Sequence, residues 1–188
     1  NDNPNTTEVA NDDKRDKRLA ALFARVLFFS LLTNDTVRSL QQVIDAISHD
    51  KTNQRIARNV GLKFQQLRYL CKHLDPFVLS NFDYKISNTN DLLQDTTHTP
   101  IERVEFALKK FGRLSDSEIV TPAFVADKVV QLLPIDAMEN DAKVLDIASK
   151  QGEFACALYK YFGEDKRNNI YALPTSSLTY EFTYKVFQ

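Results

Sequence analysis

Residues 142–154 read Ala-Lys-Val-Leu-Asp-Ile-Ala-Ser-Lys-Gln-Gly-Glu-Phe, and the pattern changes twice within this short stretch. Residues 142–147 form an apolar run with an acidic end, which predicts a buried strand. The next residues predict a turn around Gly152. From Phe154 onward the apolar residues recur at helical spacing, and Gly163 predicts the end of that helix.

The alternation continues beyond the first helix. Residues 168–173 predict a second strand, and residues 177–187 predict a second helix. This order is the beginning of a doubly wound α/β fold, in which ligands bind beyond the carboxyl ends of the strands. A glycine turn lets a ligand approach the backbone, and a helix N-terminus offers free amide groups. The loop at residues 146–154 is therefore the predicted binding site.

Further motifs stand in a fixed order around this loop. Phe-Gly-Arg at residues 111–113 is followed by Thr121-Pro122, where Thr121 is a predicted N-cap and Pro122 the first residue of a helix. Then come Val-Leu-Asp-Ile-Ala at residues 144–148 and Gly-Glu-Phe at residues 152–154. This order resembles the adenine-specific DNA methyltransferases of restriction-modification systems, the class found in type I modification subunits and in fused restriction-methylase enzymes. The resemblance covers roughly the last third of the chain.

The resemblance implies a Rossmann-like fold that binds S-adenosylmethionine. In a complete enzyme the methyl group would pass to the exocyclic amine of a flipped-out adenine in double-stranded DNA. Thr121 would cap its helix and face the methionine carboxylate of the cofactor. The loop residues implied to contact the cofactor are Asp146, Ala148, Ser149, Gly152, Glu153 and Phe154. Specificity or restriction subunits are the protein partners that the resemblance implies.

The chain departs from the family pattern in three places. The family loop carries Pro, Cys, Gly and Ser where this chain has Ile147, Ser149, Lys150 and Gln151. The family's ribose-binding acid falls at Pro174, and the only Asn-Pro pair is Asn3-Pro4, with no aromatic residue behind it. We therefore expect no catalytic residue in this chain, which we interpret as the amino-terminal part of a longer enzyme. We also expect the chain itself to bind S-adenosylmethionine weakly or undetectably.

The residues before this stretch predict an α-helical domain. Residues 1–13 are polar and predict a loose terminus, and residues 81–97, rich in Asn, Asp and Thr, predict a loop or linker. Apolar periodicity predicts helices at residues 16–32, 37–49, 53–60 and 62–74. Thr99-Pro100-Ile101-Glu102 predicts a capping box at the start of another helix. We place the domain boundary between residues 110 and 111, with the α/β domain at residues 111–188.

One helical core is predicted from the apolar faces of these segments. The residues expected to be buried together are Leu19, Leu22, Phe23, Val26, Leu40, Ile44 and Leu67.

A run of cations without an intervening acid lies at residues 51–74. On helices, Lys51, Arg55 and Arg58 share a face, as do Arg68 and Lys72. These five residues are our candidates for contacts with DNA phosphates. A solvated helix face accounts for the same pattern. Because the formal net charge is only -1, any binding to DNA requires such a local patch.

The cysteines, the most apolar run and the histidines limit which classes of protein fit the sequence. Cys71 and Cys156 are far apart in apolar helical contexts, which predicts buried thiols in a reducing, cytoplasmic compartment. The most apolar run, residues 19–32, contains Arg25 and is too short to cross a bilayer, so no membrane association is expected. The histidines lack the spacing of a metal site.

Two alternatives to a methyltransferase stay open. The first is a non-catalytic scaffold that binds DNA or a subunit and keeps a degenerate methyltransferase fold. The altered loop and Pro174 favour it. The second is a dinucleotide enzyme, but the sequence lacks Gly-x-Gly-x-x-Gly and an acid after the second strand.

Overall fold

The structure is a computed structural model that describes residues 4–111 and 120–187, with side chains from residue 13 onward. The chain forms two compact units, Asn1–Asn90 and Asp91–Gln188. Its described residues are mostly helical, with one small parallel sheet in the second unit, so the fold is broadly α/β. Within those residues, no helix combines the length and the apolar character needed to span a membrane.

The first unit is helical. Helices α2 and α3 pack against α1, and α3 and α4 each pack against α2. The five helices are α1 (Pro4–Leu32), α2 (Leu40–His49), α3 (Lys51–Asn59), α4 (Phe64–His73) and α5 (Pro76–Asp91). The predicted core is confirmed at Val26, Leu40, Ile44 and Leu67, which are buried. Leu19, Leu22 and Phe23 are only half-buried, and the Phe23 ring lies 4.4 Å from that of Phe82, centroid to centroid.

Helix α1 begins earlier than the sequence suggests. It starts at Pro4, so residues 4–13, predicted as a loose terminus, continue the helix. Lys17 Nζ lies 2.8 Å from the Asp13 carboxylate one turn away. Such pairs stabilise a polar helix that has no apolar face to bury, which is why apolar periodicity misses this end.

Helix α5 occupies residues 81–91 of the stretch 81–97 that the sequence predicted as a loop, while residues 92–97 do form a loop. The Asp75 carboxylate accepts hydrogen bonds from the backbone amides of Phe77 and Val78, so Asp75-Pro76 starts α5 as well as ending the segment before it. The polar residues that suggested a loop include the buried Asn90. Its amide nitrogen donates to the Ser30 and Asp35 carbonyl oxygens at 2.9 and 3.0 Å, and its oxygen accepts from the Val37 amide at 3.1 Å.

The second unit contains the predicted strand–helix–strand–helix order. It consists of α6 (Pro100–Phe111), α7 (Ala123–Val130), β1 (Val144–Ser149), α8 (Glu153–Phe162), a 3₁₀ helix (Glu164–Asn169), β2 (Ile170–Pro174) and α9 (Ser177–Val186). The strands are parallel, with Val144 opposite Ile170 and Ile147 opposite Leu173. The capping box of α6 is confirmed, since the Glu102 carboxylate accepts from the Thr99 amide at 2.7 Å and the Glu102 amide donates to the Thr99 hydroxyl.

Helix α6 lies in the second unit, so the two units divide at Asn90 and Asp91 instead of after residue 110. The reason is that α6 and α7 both pack on α8. Lys160 of α8 joins them, with its Nζ 3.0 Å from Glu105 and 3.3 Å from Asp127. The sequence gives no sign of this bridge, because its three residues come from three separate helices.

Helix α8 covers one face of the sheet. Ala126, Val130, Ala157 and Leu158 form a buried cluster against which Val144 and Ile170 of the strands pack. The other face is open: Leu145, Ile147 and Leu173 are 54%, 72% and 57% exposed.

We predict that Asn90→Ala destabilises the first unit by about 3 kcal/mol, because the buried Ser30 carbonyl, the Asp35 carbonyl and the Val37 amide lose their partner. Urea denaturation followed by far-UV circular dichroism measures this. Asn88→Ala, an exposed change on the same helix, should have little effect or stabilise slightly. Equal effects of the two substitutions would show that the Asn90 hydrogen bonds contribute nothing.

Candidate functional site at the end of the first strand

The loop from β1 to α8 has an unusual backbone. Ala148 has φ +63°, and a register shift between Ile147 and Ser149 marks a bulge there. A residue other than glycine in this left-handed region costs roughly 1–2 kcal/mol. The Thr175 amide donates to the Ser149 carbonyl oxygen at 3.1 Å, which holds the residue after β2 beside the end of β1. The carboxyl ends of both strands therefore meet at this loop.

Gly152 forms the N-cap of α8 with φ +90°. A Cβ atom added there would lie 2.6 Å from Cε2 of Phe187, the residue that follows α9. The positive dihedral angle therefore favours glycine, and any side chain there would force the Phe187 ring to shift. Phe187 is a site residue that the sequence did not reveal, because nothing local links it to a loop so far back in the chain.

Two buried oxygen atoms at the loop lack hydrogen bonds. Among the described residues, neither Ser149 Oγ nor Glu153 Oε1 has a partner within hydrogen-bond geometry. The other carboxylate oxygen of Glu153 accepts from the Gln151 amide at 3.3 Å. Leaving a buried acceptor unsatisfied costs about 1–3 kcal/mol, and a ligand with donor groups would recover that energy. The site is thus rich in acceptors.

The two carboxyl groups of the site both have a raised pKa. Burial raises the pKa of Asp146, and the nearby Ser149 hydroxyl partly offsets the rise. The Ser149 hydroxyl lies near the Asp146 carboxylate without full hydrogen-bond geometry, so the contact is weak. Burial also raises the pKa of Glu153, with the charge of Asp146 adding to the rise, while backbone amides and Lys150 oppose it.

Five predicted cofactor residues come together here: Asp146, Ala148, Ser149, Gly152 and Glu153. Phe154 instead packs against the buried cluster between α7 and α8, so its side chain holds the helix in place.

Thr121 does not cap α7. The N-cap is Pro122, with ψ 139°, and no side chain caps this helix end. The Pro122 carbonyl accepts from the amides of Val125 and Ala126, which fixes the helix start after the proline. The predicted position of Pro122 as the first helical residue is wrong for the same reason. Gly112 and Arg113 of the associated Phe-Gly-Arg motif lie outside the described residues.

The candidate DNA-binding residues are exposed, in two groups. Lys51, Arg55 and Arg58 lie on α3 opposite its buried residues Asn53, Ile56 and Ala57. Arg68 and Lys72 lie on α4, where the Arg68 guanidinium is 6.0 Å from the centre of the Phe64 ring. The two helices both pack on α2. Within each group the shared face that the sequence predicted is confirmed.

Possible metal ligands and similarity to known proteins give no further information about this site. In the part of the chain that the structure describes, no three His, Cys, Asp or Glu side chains are grouped so that they could hold a metal ion. Comparison of the chain with protein-family models, with curated proteins and with solved structures gave no match.

The raised pKa values predict how stability changes with pH. A carboxyl group whose pKa is higher in the folded state holds its proton longer there, so stability falls as the pH rises from about 4 through the raised pKa. Asp146→Asn should therefore stabilise the second unit at neutral pH and flatten this dependence. Amide hydrogen exchange in β1 and β2 across that pH range measures the effect. Exposed Asp136→Asn is the control, and identical profiles for the two variants would contradict the prediction.

Proposed function

We propose that this chain belongs to an adenine-specific DNA methyltransferase of a restriction-modification system, with the second unit as its S-adenosylmethionine-binding part. The observation that carries the proposal is the group of acceptors at the carboxyl ends of two parallel strands. Asp146, Glu153 and the buried Ser149 hydroxyl all lie where β1 passes into α8. Ligands of such sheets bind at this edge.

The charge of the loop supports a cationic ligand. Two carboxylates whose charged forms are disfavoured by burial gain from a ligand that carries positive charge. S-adenosylmethionine has a sulfonium, an ammonium and ribose hydroxyl donors, and Lys150 offers a cation for its carboxylate. A dinucleotide pyrophosphate is disfavoured, since the Glu153 carboxylate already accepts from the loop amide of Gln151.

The second candidate function is a scaffold that binds DNA or a subunit without the cofactor. Its specific support is the Phe187 ring, which fills the space beside Gly152 where a ligand would approach the backbone. Pro174 also ends β2 without a carboxylate for ribose hydroxyls.

Titration with S-adenosylmethionine separates the two candidates. We expect weak, saturable shifts in the NMR amide spectrum, confined to residues 146–154 and 174–176. Asp146→Asn should weaken the binding about tenfold, because a hydrogen bond to a charged group contributes about 1.5–3 kcal/mol. Asp136→Asn, with the same loss of charge, should leave it unchanged. Shifts elsewhere, or binding that Asp146→Asn leaves unchanged, would reject the cofactor site and favour the scaffold. Gly152 is unsuitable for this test, because any side chain there disturbs Phe187.

The first unit would supply the DNA contacts, in this proposal, through the exposed faces of α3 and α4. Replacing both Arg55 and Arg58 by Ala should weaken binding to duplexes of any sequence and lower the slope of log affinity against log salt by about two. Fluorescence anisotropy over a salt series measures both quantities. The control removes two exposed lysines of the second unit, Lys109 and Lys128. If the two double variants give equal slopes, Arg55 and Arg58 do not contact DNA, and the α3 cations form a solvated helix face.

A further inference from the structure

A cavity of about 500 Å³ lies in the second unit, apart from the β1–α8 loop. Its walls come from α6, α8, β2 and α9, for example through Val104, Tyr159, Ala172 and Thr183. No residue from Asp146 to Phe154 lines it. Its volume falls within the range of small-molecule sites, roughly 300–1,000 Å³.

The cavity is lined by cations. Arg103, Arg167 and Lys185 contribute to its walls, whereas no Asp or Glu of the described residues is among those that line it, in a chain whose net charge is -1. Two acidic residues interact with wall residues: the Glu164 carboxylate accepts from the Tyr159 hydroxyl, and the Arg103 guanidinium donates to the Asp95 carbonyl at 3.5 Å and helps to lower the pKa of the Asp95 carboxyl. Burial lowers the pKa of the Lys185 amine, so its charged form is partly desolvated, and a bound anion would offset that cost.

The cavity also offers flat aromatic surfaces. Tyr180 and Tyr184 stack one turn apart on α9, with ring centroids 5.7 Å apart and planes 20° from parallel. Tyr159 stands on the α8 wall, and the apolar lining includes Ile170 and Phe187. Aromatic walls of this kind favour a planar apolar body over a small hydrated ion.

We propose that this cavity binds an aromatic anion, a planar ring system that carries a phosphate or carboxylate group. The guanidinium groups of Arg103 and Arg167 match such an anion in geometry, and the Lys185 ammonium adds a point charge. The tyrosines contact the ring. The proposal is independent of the methyltransferase proposal, because the two sites prefer ligands of opposite charge and the cationic residues of the cavity take no part in the loop site, although Pro174 and Phe187 border both.

The test is isothermal titration calorimetry with naphthyl phosphate as the probe. Naphthol carries only the ring of this probe, and inorganic phosphate carries only its anionic group. We expect naphthyl phosphate to bind at least about tenfold more tightly than naphthol or inorganic phosphate alone. Titration with adenosine monophosphate distinguishes a nucleotide ligand from other aromatic anions. Affinity equal to that of naphthyl phosphate indicates a nucleotide, and much weaker affinity indicates an aromatic anion of another kind. Absence of saturable binding of naphthyl phosphate at millimolar concentration overturns the proposal.

Matched variants locate the binding. Arg103→Gln and Lys185→Met should each weaken it about tenfold, whereas Lys128→Met, an equal loss of charge on α7 outside the cavity, should leave it unchanged. Ile147→Ser tests whether the probe binds the open sheet face instead, and should also have no effect. Circular dichroism checks that each variant folds. Equal affinity in the Arg103 and Lys128 variants, or loss of binding in the Ile147 variant, overturns the proposal.

Discussion

The second unit depends on one steric constraint, the left-handed turn at Gly152 beneath the Phe187 ring. Only glycine adopts φ +90° there without strain, and only glycine leaves room for the ring. The turn lets β1 pass directly into α8, and α8 is the helix on which α6, α7 and both strands pack. A single side chain at this position would therefore disturb the end of α9, the start of α8 and the loop at once.

The sequence predicts those parts of the fold whose causes are local. Parallel strands and helix α8 follow from apolar runs, and the Thr99–Glu102 cap follows from a four-residue motif. The end of helix α5 is not predictable from local sequence, because the polar Asn90 side chain is buried and hydrogen-bonds backbone atoms of residues 30–37, far away in the sequence. For the candidate site, the loop residues were predictable and Phe187 was not, since its contact with Gly152 exists only in the folded chain.

The two candidate sites of the second unit differ in electrostatic character. The β1–α8 loop presents two partly buried carboxylates, and the cavity beside β2 presents three cations and no acidic lining residue. A cation that suits the loop is repelled by the cavity, and an anion that suits the cavity is repelled by the loop. Electrostatic selection of this kind separates ligands more sharply than cavity shape alone, because the attraction in one site becomes a penalty in the other.

Stability is distributed unevenly between the two units. In the first, the buried Asn53 side chain bonds Thr33, Asp35 and the Ala46 carbonyl at 2.7–3.2 Å, so its polar groups cost little to bury. In the second, two carboxyl groups are half-buried at a cost in free energy, Ala148 adopts a positive φ, and Leu145, Ile147 and Leu173 are exposed on one sheet face. Parallel sheets are ordinarily covered on both faces, so apolar cover over Leu145 and Ile147 would stabilise this unit in proportion to the area buried. The strained loop and the open face lie on the same strand, β1. Ligand donors at the loop and apolar cover on the face would therefore each stabilise β1, by separate routes, in the unit that carries both candidate sites.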